Sequence, residues 1–514
     1  MSDAPRSLPE MDEASVARAK FVSNLKPGTR IHIIGICGTG TASLATLLVA
    51  RGFTVSGSDK SFYPPMDEVV RRIATPLFEG FRAENITNEI GLVVIGNSVS
   101  RTNPEVEEVF KRNIAYASMP EVLSSLLIGT KAECKNSVVV IGTHGKTTTT
   151  ALIVTLLEQA GRAPGYFIGG LPRGLSTSVR APSAKLPAND RIVVLEGDEY
   201  DSAFFAKWPK FHSYRPDLLV VTSLEFDHGD IYESVEQIAT EFTRAAARVP
   251  KDGLILLFDG DKKLLELARS WKGKPEITAR LQFYGRNSDS TYRIERRQLD
   301  PLSTPPTQEL EFVLDGEPLR FKTTLTGEYN ACNMLAAAAV GRTLGCNPRV
   351  LAAALSQYQG VLRRQQVIAD VGGILVIEDF AHHPTAVSET LCGLREAYPN
   401  RRIVVAYEPR SNTSRRAFFQ EAYRASFASA DLVVIREVTD PGNYSATTTP
   451  LKALNVGVLV SALTADGKQA VSFASVEEIE QYLIRTMRQG DLVVLMSNGD
   501  FGGLPNSLPQ QIAT

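Results

Sequence analysis

The segment SVVVIGTHGKTTTT places a glycine-rich loop between an apolar strand and a helix. The loop consists of Gly142, Thr143, His144, Gly145, Lys146, Thr147 and Thr148. Such a loop turns successive backbone N–H groups toward a phosphate at a helix N-terminus. We expect Lys146 to reach the β- and γ-phosphates of a nucleotide and the Thr147 hydroxyl to hold Mg²⁺. The general pattern has a glycine where this chain has Val140, so a variant of the motif is matched.

Acidic residues follow two further apolar strands. EGDEYD follows RIVVL, and EFDHGD follows LLVVTSL. Mg²⁺ takes oxygen ligands and sits on few carboxylates plus substrate phosphate. Glu196 is therefore the best candidate for a Mg²⁺ ligand, with a solvated acidic turn as the alternative. His228 lies among acids at the other strand end, but a single histidine is usually structural, so its role stays open on local evidence.

The sequence also carries a second glycine-rich turn and another strand end with polar residues. GICGTG (35–40) lies between a strand and a helix, and Asp59 ends the next strand. Its GxxGxG spacing departs from the GxGxxG of dinucleotide sites, so binding of a nucleotide diphosphate and a plain turn both remain open. In EDFAHHPT (378–385), Asp379 could bind ribose hydroxyls and His383 could lie near a phosphate.

Alternating strand and helix patterns must position these motifs. Apolar strands followed by helical patterns recur in three segments, which predicts sheets of the parallel α/β type. Between about residues 281 and 325 the strands LQFYG, YRIERRQL, LEFVLDG and LRFKTTL are more typical of an antiparallel sheet. We predict a mobile or peripheral extension at 1–26 and domains at 27–132, 133–357 and 358–514.

Composition limits the class of protein. The chain has 514 residues, of which 43% are hydrophobic and 22% charged, and its net charge is −2. This is ordinary for a soluble globular protein and gives no reason to propose nucleic acid or a membrane as partner. Five cysteines without a CxxC pair indicate neither a disulfide framework nor a zinc site. Because no secretory signal or membrane helix is apparent, we expect a cytoplasmic protein, as a monomer or a weak homo-oligomer.

Taken together, the motifs resemble the Mur ligase family of peptidoglycan synthesis from about residue 30 to residue 505. The resemblance rests on GTHGKTTT (142–149), EGDEYD (196–201), LEFDHGD (224–230), GEYNACNMLAA (327–337), GVLRRQQ (360–366) and EDFAHHPT (378–385). It implies a three-domain α/β architecture with a Rossmann-like N-terminal domain, a P-loop ATPase-like central domain and a Rossmann-like C-terminal domain. It also implies an ATP-dependent, Mg²⁺-using ligase that forms amide bonds between small-molecule substrates.

The resemblance assigns roles to residues by position. The N-terminal domain would hold a UDP-sugar through Gly35, Gly38, Gly40, Ser58 and Asp59. Catalysis and Mg²⁺ binding would involve Lys146, Thr147, Glu196 and His228. Outside the loop, ATP would meet Asn330 at adenine, then Arg364 and Asp379 at phosphate and ribose, with His383 in a family position of open role.

Several stretches indicate a branch within the family. GICGTG and GSD (57–59) are similar to the branch that acts on UDP-N-acetylmuramate itself. YPPM (63–66), EGDEYDSAFF (196–205), YRP (214–216), YEPRSNTSRR (407–416) and MSNGDFGGL (496–504) are similar to the recycling ligases that attach the tripeptide L-alanyl-γ-D-glutamyl-meso-diaminopimelate. Attachment of L-alanine is the alternative. We expect Arg410, with Ser411 and Asn412, to read the peptide, because planar bidentate pairing with carboxylates suits arginine.

The chain also departs from the family pattern. Tyr329 stands where the family has a histidine, Gln366 stands where it has an acid, and residues 232–250 lack the lysine that many members carbamylate. Two alternatives belong to other classes of protein, namely a non-catalytic ATP-binding protein and a dehydrogenase that uses GxxGxG for NAD. The first would make EGDEYD and EDFAHHPT coincidental, and the second leaves the phosphate loop unexplained.

Overall fold

The structure is a computed structural model that describes residues 13–62, 66–130, 133–183, 185–229, 231–438 and 452–513. They form two compact units. The first unit comprises the described residues of Met1–Leu171, Leu175–Leu224 and Ile238–Phe283, and the second comprises those of Pro172–Gly174, Glu225–Gln237 and Tyr284–Thr514. Of the motif YPPM, only Met66 lies within the described residues.

The first unit begins with helix α1 (Glu13–Ser23) and a parallel sheet of five strands. The strands are β1 (Arg30–Ile34), β2 (Thr54–Asp59), β3 (Leu77–Glu79), β4 (Ile90–Ile95) and β5 (Tyr116–Ser118), in the spatial order β3-β2-β1-β4-β5. The helices α2 (Thr39–Ala50), α3 (Met66–Ile73), α4 (Pro104–Lys111) and α5 (Met119–Leu123) follow the strands. Because the strand order reverses at β1, the carboxyl ends of β1 and β4 flank the crevice where ligands bind in such sheets.

Six further strands of this unit pair with one another. They are β6 (Asn136–Ile141), β7 (Gly165–Phe167), β8 (Val179–Arg180), β9 (Ile192–Glu196), β12 (Leu218–Val221) and β13 (Leu254–Phe258), in the order β13-β12-β6-β9-β7-β8. All these pairings are parallel except that of β8. A hairpin of β10 (Asp201–Ala203) and β11 (Ala206–Pro209) follows β9, and the helices are α6 (Lys146–Gln159), α7 (Val235–Ala247) and α8 (Lys262–Trp271). The apolar strands are buried, which explains their continuous Val, Ile and Leu runs.

In the second unit, three antiparallel strands precede two helices. After β14 (Arg280–Gly285), these elements are β15 (Tyr292–Asp300), β16 (Thr307–Leu314), β17 (Glu317–Thr323), α9 (Glu328–Thr343) and α10 (Pro348–Gln357). The antiparallel prediction is confirmed for β15 to β17. It is wrong for LQFYG, whose last residues pair in parallel with β15, because the pattern of a short apolar strand carries no signal of direction.

A six-stranded sheet forms the rest of the second unit. Its strands are β18 (Gln366–Val371), β19 (Ile374–Asp379), β20 (Arg402–Tyr407), β21 (Leu432–Arg436), β22 (Gln469–Phe473) and β23 (Asp491–Met496), in the order β18-β19-β23-β20-β21-β22. Only β18 pairs in antiparallel fashion among these described strands. The helices are α11 (Pro384–Ala397), α12 (Gln420–Ser426), α13 (Val456–Ala465), α14 (Val476–Thr486) and α15 (Leu504–Ala513). Along β20, Val405 and Tyr407 enter one core and Val404 enters the other, so both faces of the sheet are covered.

Residues 13–23, within the predicted extension, form α1 and bond to the rest of the first unit. Ser15 donates to the Glu121 carboxylate at 2.5 Å, and Arg18 donates to it at 2.9 Å. The same carboxylate accepts the Ser118 N–H at the start of α5. Glu121 is 1% exposed, so α1 satisfies a buried charge. The predicted domain boundaries stay predictions.

Candidate active site

The glycine-rich loop lies between β6 and α6, as the sequence predicts. Gly145 has a φ of +79° and immediately precedes α6. Gly142 has a φ of +133°, and a Cβ there would lie 2.1 Å from the Thr222 hydroxyl. The His144 N–H donates to the Ser223 hydroxyl at 2.8 Å. The loop therefore packs directly against the residues that follow β12, and residue 142 must be glycine.

Lys146 folds back over its own loop. Its Nζ donates to the Gly142 carbonyl at 2.6 Å and to the Glu199 carboxylate at 2.8 Å. The side chains of the ion pair are 11% and 2% exposed. Burial works against the ammonium, but the charge of Glu199, with those of Asp198 and Glu196, outweighs it and raises the pKa of Lys146. Lys146 is thus a fixed cation beside a loop of backbone N–H groups, which suits the β- and γ-phosphates of ATP.

Glu196, at the end of β9, accepts a hydrogen bond from the predicted Mg²⁺ ligand Thr147. The Thr147 hydroxyl donates to one carboxylate oxygen at 2.7 Å, and the Gly169 N–H donates to the other at 2.6 Å. Burial and then the charge of Asp198 raise the pKa of Glu196, although both hydrogen bonds lower it. A hydroxyl and a carboxylate beside a phosphate loop are oxygen ligands of the kind that Mg²⁺ takes, so these two residues fit the ion.

Sequence reasoning missed Glu199 and Asp198. Both belong to EGDEYD, but the composition of an acidic turn does not tell which carboxylate faces the loop. In the structure, Lys146 donates a hydrogen bond to Glu199, and Lys210 donates one to Asp198 at 2.7 Å. The buried lysine of the loop was the available signal, because a buried ammonium needs an acidic partner.

The GICGTG turn lines a cleft of about 180 Å³ at the carboxyl ends of β1 and β4. Its lining includes the predicted residues Gly35, Gly38, Gly40 and Asp59 and, after β4, Gly96 and Asn97. Asp59 accepts the Cys37 N–H at 2.8 Å, which ties the turn to the end of β2. Ser58 is fully buried, and its hydroxyl donates to Glu105 at 2.5 Å. The hydroxyl of Ser58 already has an internal partner, and its predicted contact with the sugar nucleotide stays a prediction.

In the second unit, Asn330 and Asp379 converge on Gln365. The Asn330 amide donates to the Gln365 side chain at 3.2 Å, and the Gln365 N–H donates to Asp379 at 2.7 Å. Burial raises the pKa of Asp379, although the charge of Arg364 opposes the change. The guanidinium of Arg364 lies 4.4 Å from the centre of the Phe380 ring. Gln365 is therefore another residue that sequence reasoning missed, and it lies directly after Arg364 in GVLRRQQ.

His228 and His383 lie in the second unit as well. The Nε2 of His383 is 3.2 Å from the Phe226 carbonyl, and its Nδ1 accepts the Thr385 N–H at the start of α11. His228 has a φ of +52° and is 8% exposed. Its Nε2 is 3.9 Å from the carboxylate of Asp227. Because His228 and the glycine-rich loop belong to different units, a shared Mg²⁺ site stays a prediction; Asp230 of the same motif lies outside the described residues.

The predicted peptide residues follow β20, next to the loop that follows β23. The Nη1 of Arg410 donates to Asp500 at 2.5 Å, and a Cβ on Gly499 would lie 1.8 Å from this nitrogen. Ser411 donates to Ser414 at 2.9 Å in the turn that also contains Asn412. Because β20 and β23 are parallel neighbours, the sequences EPRSN and SNGD, which follow them, lie side by side at the carboxyl ends of the strands.

Tyr329, which departs from the family pattern, lies near Asn330, Gln365 and Asp379. Burial and then the charge of Asp379 raise the pKa of Tyr329, while hydrogen bonds with Thr390 and Asn330 lower it. Tyr329 therefore stays neutral, and it contacts the asparagine that the resemblance assigns to adenine.

Three family models match the chain in succession. They are "Mur ligase family, catalytic domain" at residues 30–130, "Mur ligase middle domain" at 140–341 and "Mur ligase, glutamate ligase domain" at 363–499. The chain belongs to the Mur ligase family, and it is an ATP-dependent ligase that forms amide bonds. The predicted family, the three-domain α/β fold class and the enzyme class are thereby confirmed.

Relatives with two different names resemble the chain over most of its length. The UDP-N-acetylmuramate–L-alanyl-γ-D-glutamyl-meso-2,6-diaminoheptandioate ligase of Escherichia coli K12 is 34% identical and covers 94% of this chain and 98% of that protein. A UDP-N-acetylmuramate–L-alanine ligase of Desulforapulum autotrophicum is 30% identical over 94% of this chain and 98% of that protein. The crystal structure of a murein peptide ligase from Psychrobacter arcticus is 29% identical, with a TM-score of 0.70 over 95% of this chain and 99% of that chain.

Within the described ranges, every helix is too short or too polar to cross a membrane.

Proposed function

We propose that this ligase joins the tripeptide L-alanyl-γ-D-glutamyl-meso-diaminopimelate to UDP-N-acetylmuramate and hydrolyses ATP to ADP and phosphate. The observation that carries the chemistry is the buried cluster of Lys146, Glu196 and Glu199 at the glycine-rich loop. The finer assignment of substrates is supported by the 34% identity with the Escherichia coli tripeptide ligase. ATP and UDP-sugars are cytoplasmic metabolites, so the proposal includes a cytoplasmic location; the predicted monomer or weak homo-oligomer stays a prediction.

Activation of a carboxylate explains why the reaction needs ATP. The lactyl carboxylate of the sugar attacks the γ-phosphorus, which forms an acyl phosphate and releases ADP. The peptide amine then attacks the carbonyl carbon, loses a proton, and expels phosphate from the tetrahedral intermediate. Lys146 and the N–H groups of the loop would neutralise the charge that develops on the phosphates. Glu199 would keep the Lys146 ammonium charged and in place.

The donor set beside the loop suits a divalent cation. Thr147 and Glu196 would hold Mg²⁺, with His228 as a further proposed ligand. When bound, Mg²⁺ supplies positive charge to the phosphate oxygens. The Thr147 hydroxyl donates to Glu196, so this pair keeps both oxygens close to the loop.

We propose that the peptide binds at the carboxyl ends of β20 and β23, the two central strands of the six-stranded sheet. The Arg410 guanidinium contacts Gly499 and forms an ion pair with Asp500 there, and its side chain is 46% exposed. An exposed guanidinium pairs well with a carboxylate in a bidentate manner, and the tripeptide carries several carboxylates. Ser411 and Asn412 add polar groups in the adjoining turn.

Attachment of L-alanine is the second candidate. The Desulforapulum autotrophicum relative that bears this name matches the chain at 30% identity over the same share of its length. L-alanine has one carboxylate and an uncharged side chain, so it would form fewer ion pairs with Arg410 than the tripeptide.

Incubation of the purified protein with ATP, Mg²⁺ and UDP-N-acetylmuramate, plus either L-alanine or the tripeptide, separates the two candidates. We expect phosphate release and a new UDP-linked product with the tripeptide, and little turnover with L-alanine. Turnover with L-alanine in preference to the tripeptide would overturn the proposal in favour of the second candidate. Replacement of Arg410 with alanine should raise the tripeptide KM, and an unchanged KM would remove Arg410 from the peptide site.

A further inference from the structure

The hairpin of β10 and β11 packs against the first sheet of its own unit. At the tip, Phe205 contacts Tyr116 of β5 with ring centroids 5.0 Å apart, and Phe204 contacts Phe110 of α4 at 6.1 Å, both edge to face. Arg18 of α1 lies over the Phe205 ring at 4.8 Å. These aromatic contacts fix the hairpin, so the residue that follows it has a defined position relative to the first sheet.

Lys210 is that residue, and it reaches the cleft formed by the GICGTG turn. It lines the cleft together with Gly40 and Asp59. Its Nζ is 2.7 Å from the Asp198 carboxylate and 5.6 Å from the centre of the Tyr200 ring. The Lys210 side chain is 13% exposed, so its ammonium is largely buried and is fixed by the ion pair with Asp198.

Asp198 connects Lys210 with the residues at the glycine-rich loop. Asp198 bonds to Lys210 at 2.7 Å, and its neighbour in the chain, Glu199, bonds to Lys146 of that loop at 2.8 Å. Lys210 thus faces the cleft on one side and the acids of EGDEYD on the other. A reacting group of a substrate in the cleft would have to approach these same acids.

A UDP-muramic acid carries two kinds of anion. Its diphosphate suits the backbone N–H groups of the GICGTG turn at the start of α2. Its lactyl carboxylate has to lie closer to the ATP-binding loop, because it attacks the γ-phosphorus in the proposed reaction. Among the described residues that line the cleft, Lys210 supplies the positive charge.

We propose that Lys210 binds the lactyl carboxylate of the sugar nucleotide and orients it toward the glycine-rich loop, an inference that rests on the proposed function. An ammonium has three N–H donors, so Lys210 can keep its bond to Asp198 and still bind the substrate. The hairpin DSAFFAKWP (201–209) then has a physical role, which is to place the Lys210 ammonium in the cleft.

The test is direct binding of two nucleotides to the full-length protein without ATP or peptide, by calorimetry. UDP-N-acetylmuramate has the carboxylate, and UDP-N-acetylglucosamine lacks it but keeps the diphosphate. Lys210→Met should weaken binding of UDP-N-acetylmuramate by about tenfold or more, because a hydrogen bond between charged groups is lost. Binding of UDP-N-acetylglucosamine should change by less than about twofold.

Lys207→Met is the matched control. Lys207 lies on the same hairpin, pairs with Asp201 at 2.8 Å and is 44% exposed, so its loss removes the same charge away from the cleft. We expect it to bind both nucleotides like the parent protein. Lys210→Arg, which keeps the charge, should recover most of the affinity and guards against a folding defect in Lys210→Met.

Three results would overturn the inference. Unchanged affinity of Lys210→Met for UDP-N-acetylmuramate would show that the ammonium does not contact the substrate. If Lys210→Met weakened the binding of both nucleotides equally, Lys210 would contact the diphosphate that they share and not the carboxylate. A parent protein that does not bind UDP-N-acetylmuramate at all would instead refute the proposed function itself, and the inference with it.

Discussion

Replacement of Gly499 with alanine should displace Arg410 and weaken binding of the peptide. The backbone of Gly499 lies outside the left-handed region, so alanine can adopt it without strain. The new Cβ would lie 1.8 Å from Nη1 and 2.4 Å from Cζ of Arg410, so the guanidinium has to move. It is the end of a flexible side chain that is 46% exposed, and the fold should therefore survive.

The expected size of the effect follows from the contact that is lost. A hydrogen bond to a charged group contributes about 1.5–3 kcal/mol. Since about 1.4 kcal/mol is a factor of ten, the tripeptide KM should rise about 10- to 100-fold. The exposed ion pair of Arg410 with Asp500 contributes at most about 1 kcal/mol, so the melting temperature should change little.

Phosphate release at varied tripeptide concentration measures this KM. Gly457→Ala is the matched control, because its nearest neighbour would be the Asn455 side chain at an ordinary 3.5 Å. We expect Gly457→Ala to keep the parent KM and both variants to keep the parent KM for ATP. If Gly499→Ala retains the parent tripeptide KM, Arg410 does not bind the peptide and the proposed site is wrong.

Other perturbations test the glycine-rich loop, the metal and α1. Lys146→Met should abolish phosphate release and, because the buried Glu199 carboxylate loses its ion pair with the ammonium, lower the free energy of unfolding by about 3–5 kcal/mol. Adding Glu199→Gln should restore urea stability but not turnover; recovered turnover would remove Lys146 from the mechanism. Gly142→Ala should abolish binding of a fluorescent ATP analogue, because its Cβ would collide with residues after β12, and normal binding would contradict the observed packing. Chelation by EDTA should stop turnover and added Mg²⁺ should restore it, whereas activity that persists in EDTA would argue against a metal. Arg18→Ala should lower the unfolding free energy by about 1–3 kcal/mol, since Glu121 loses a charged partner, and an unchanged melting curve would make α1 dispensable.

Much of the fold could be predicted from the sequence, because continuous apolar runs and glycine turns depend on neighbouring residues. The strand before Gly142, the turn itself and helix α6 lie where the pattern placed them. The direction of the short strand β14 could not be predicted, because pairing direction depends on residues that are distant in the chain.

The same division holds for the candidate site. A phosphate loop with Lys146 and Thr147, and acids at the ends of other strands, could be predicted from the sequence alone, since each motif is local. The partners of the charged and polar groups, in contrast, follow from packing in three dimensions. Glu199 pairs with Lys146, Asp198 pairs with Lys210, and the Ser58 hydroxyl donates to Glu105. A buried charge pairs with the group that packing brings within hydrogen-bond distance, and the spacing of a single motif does not specify that packing.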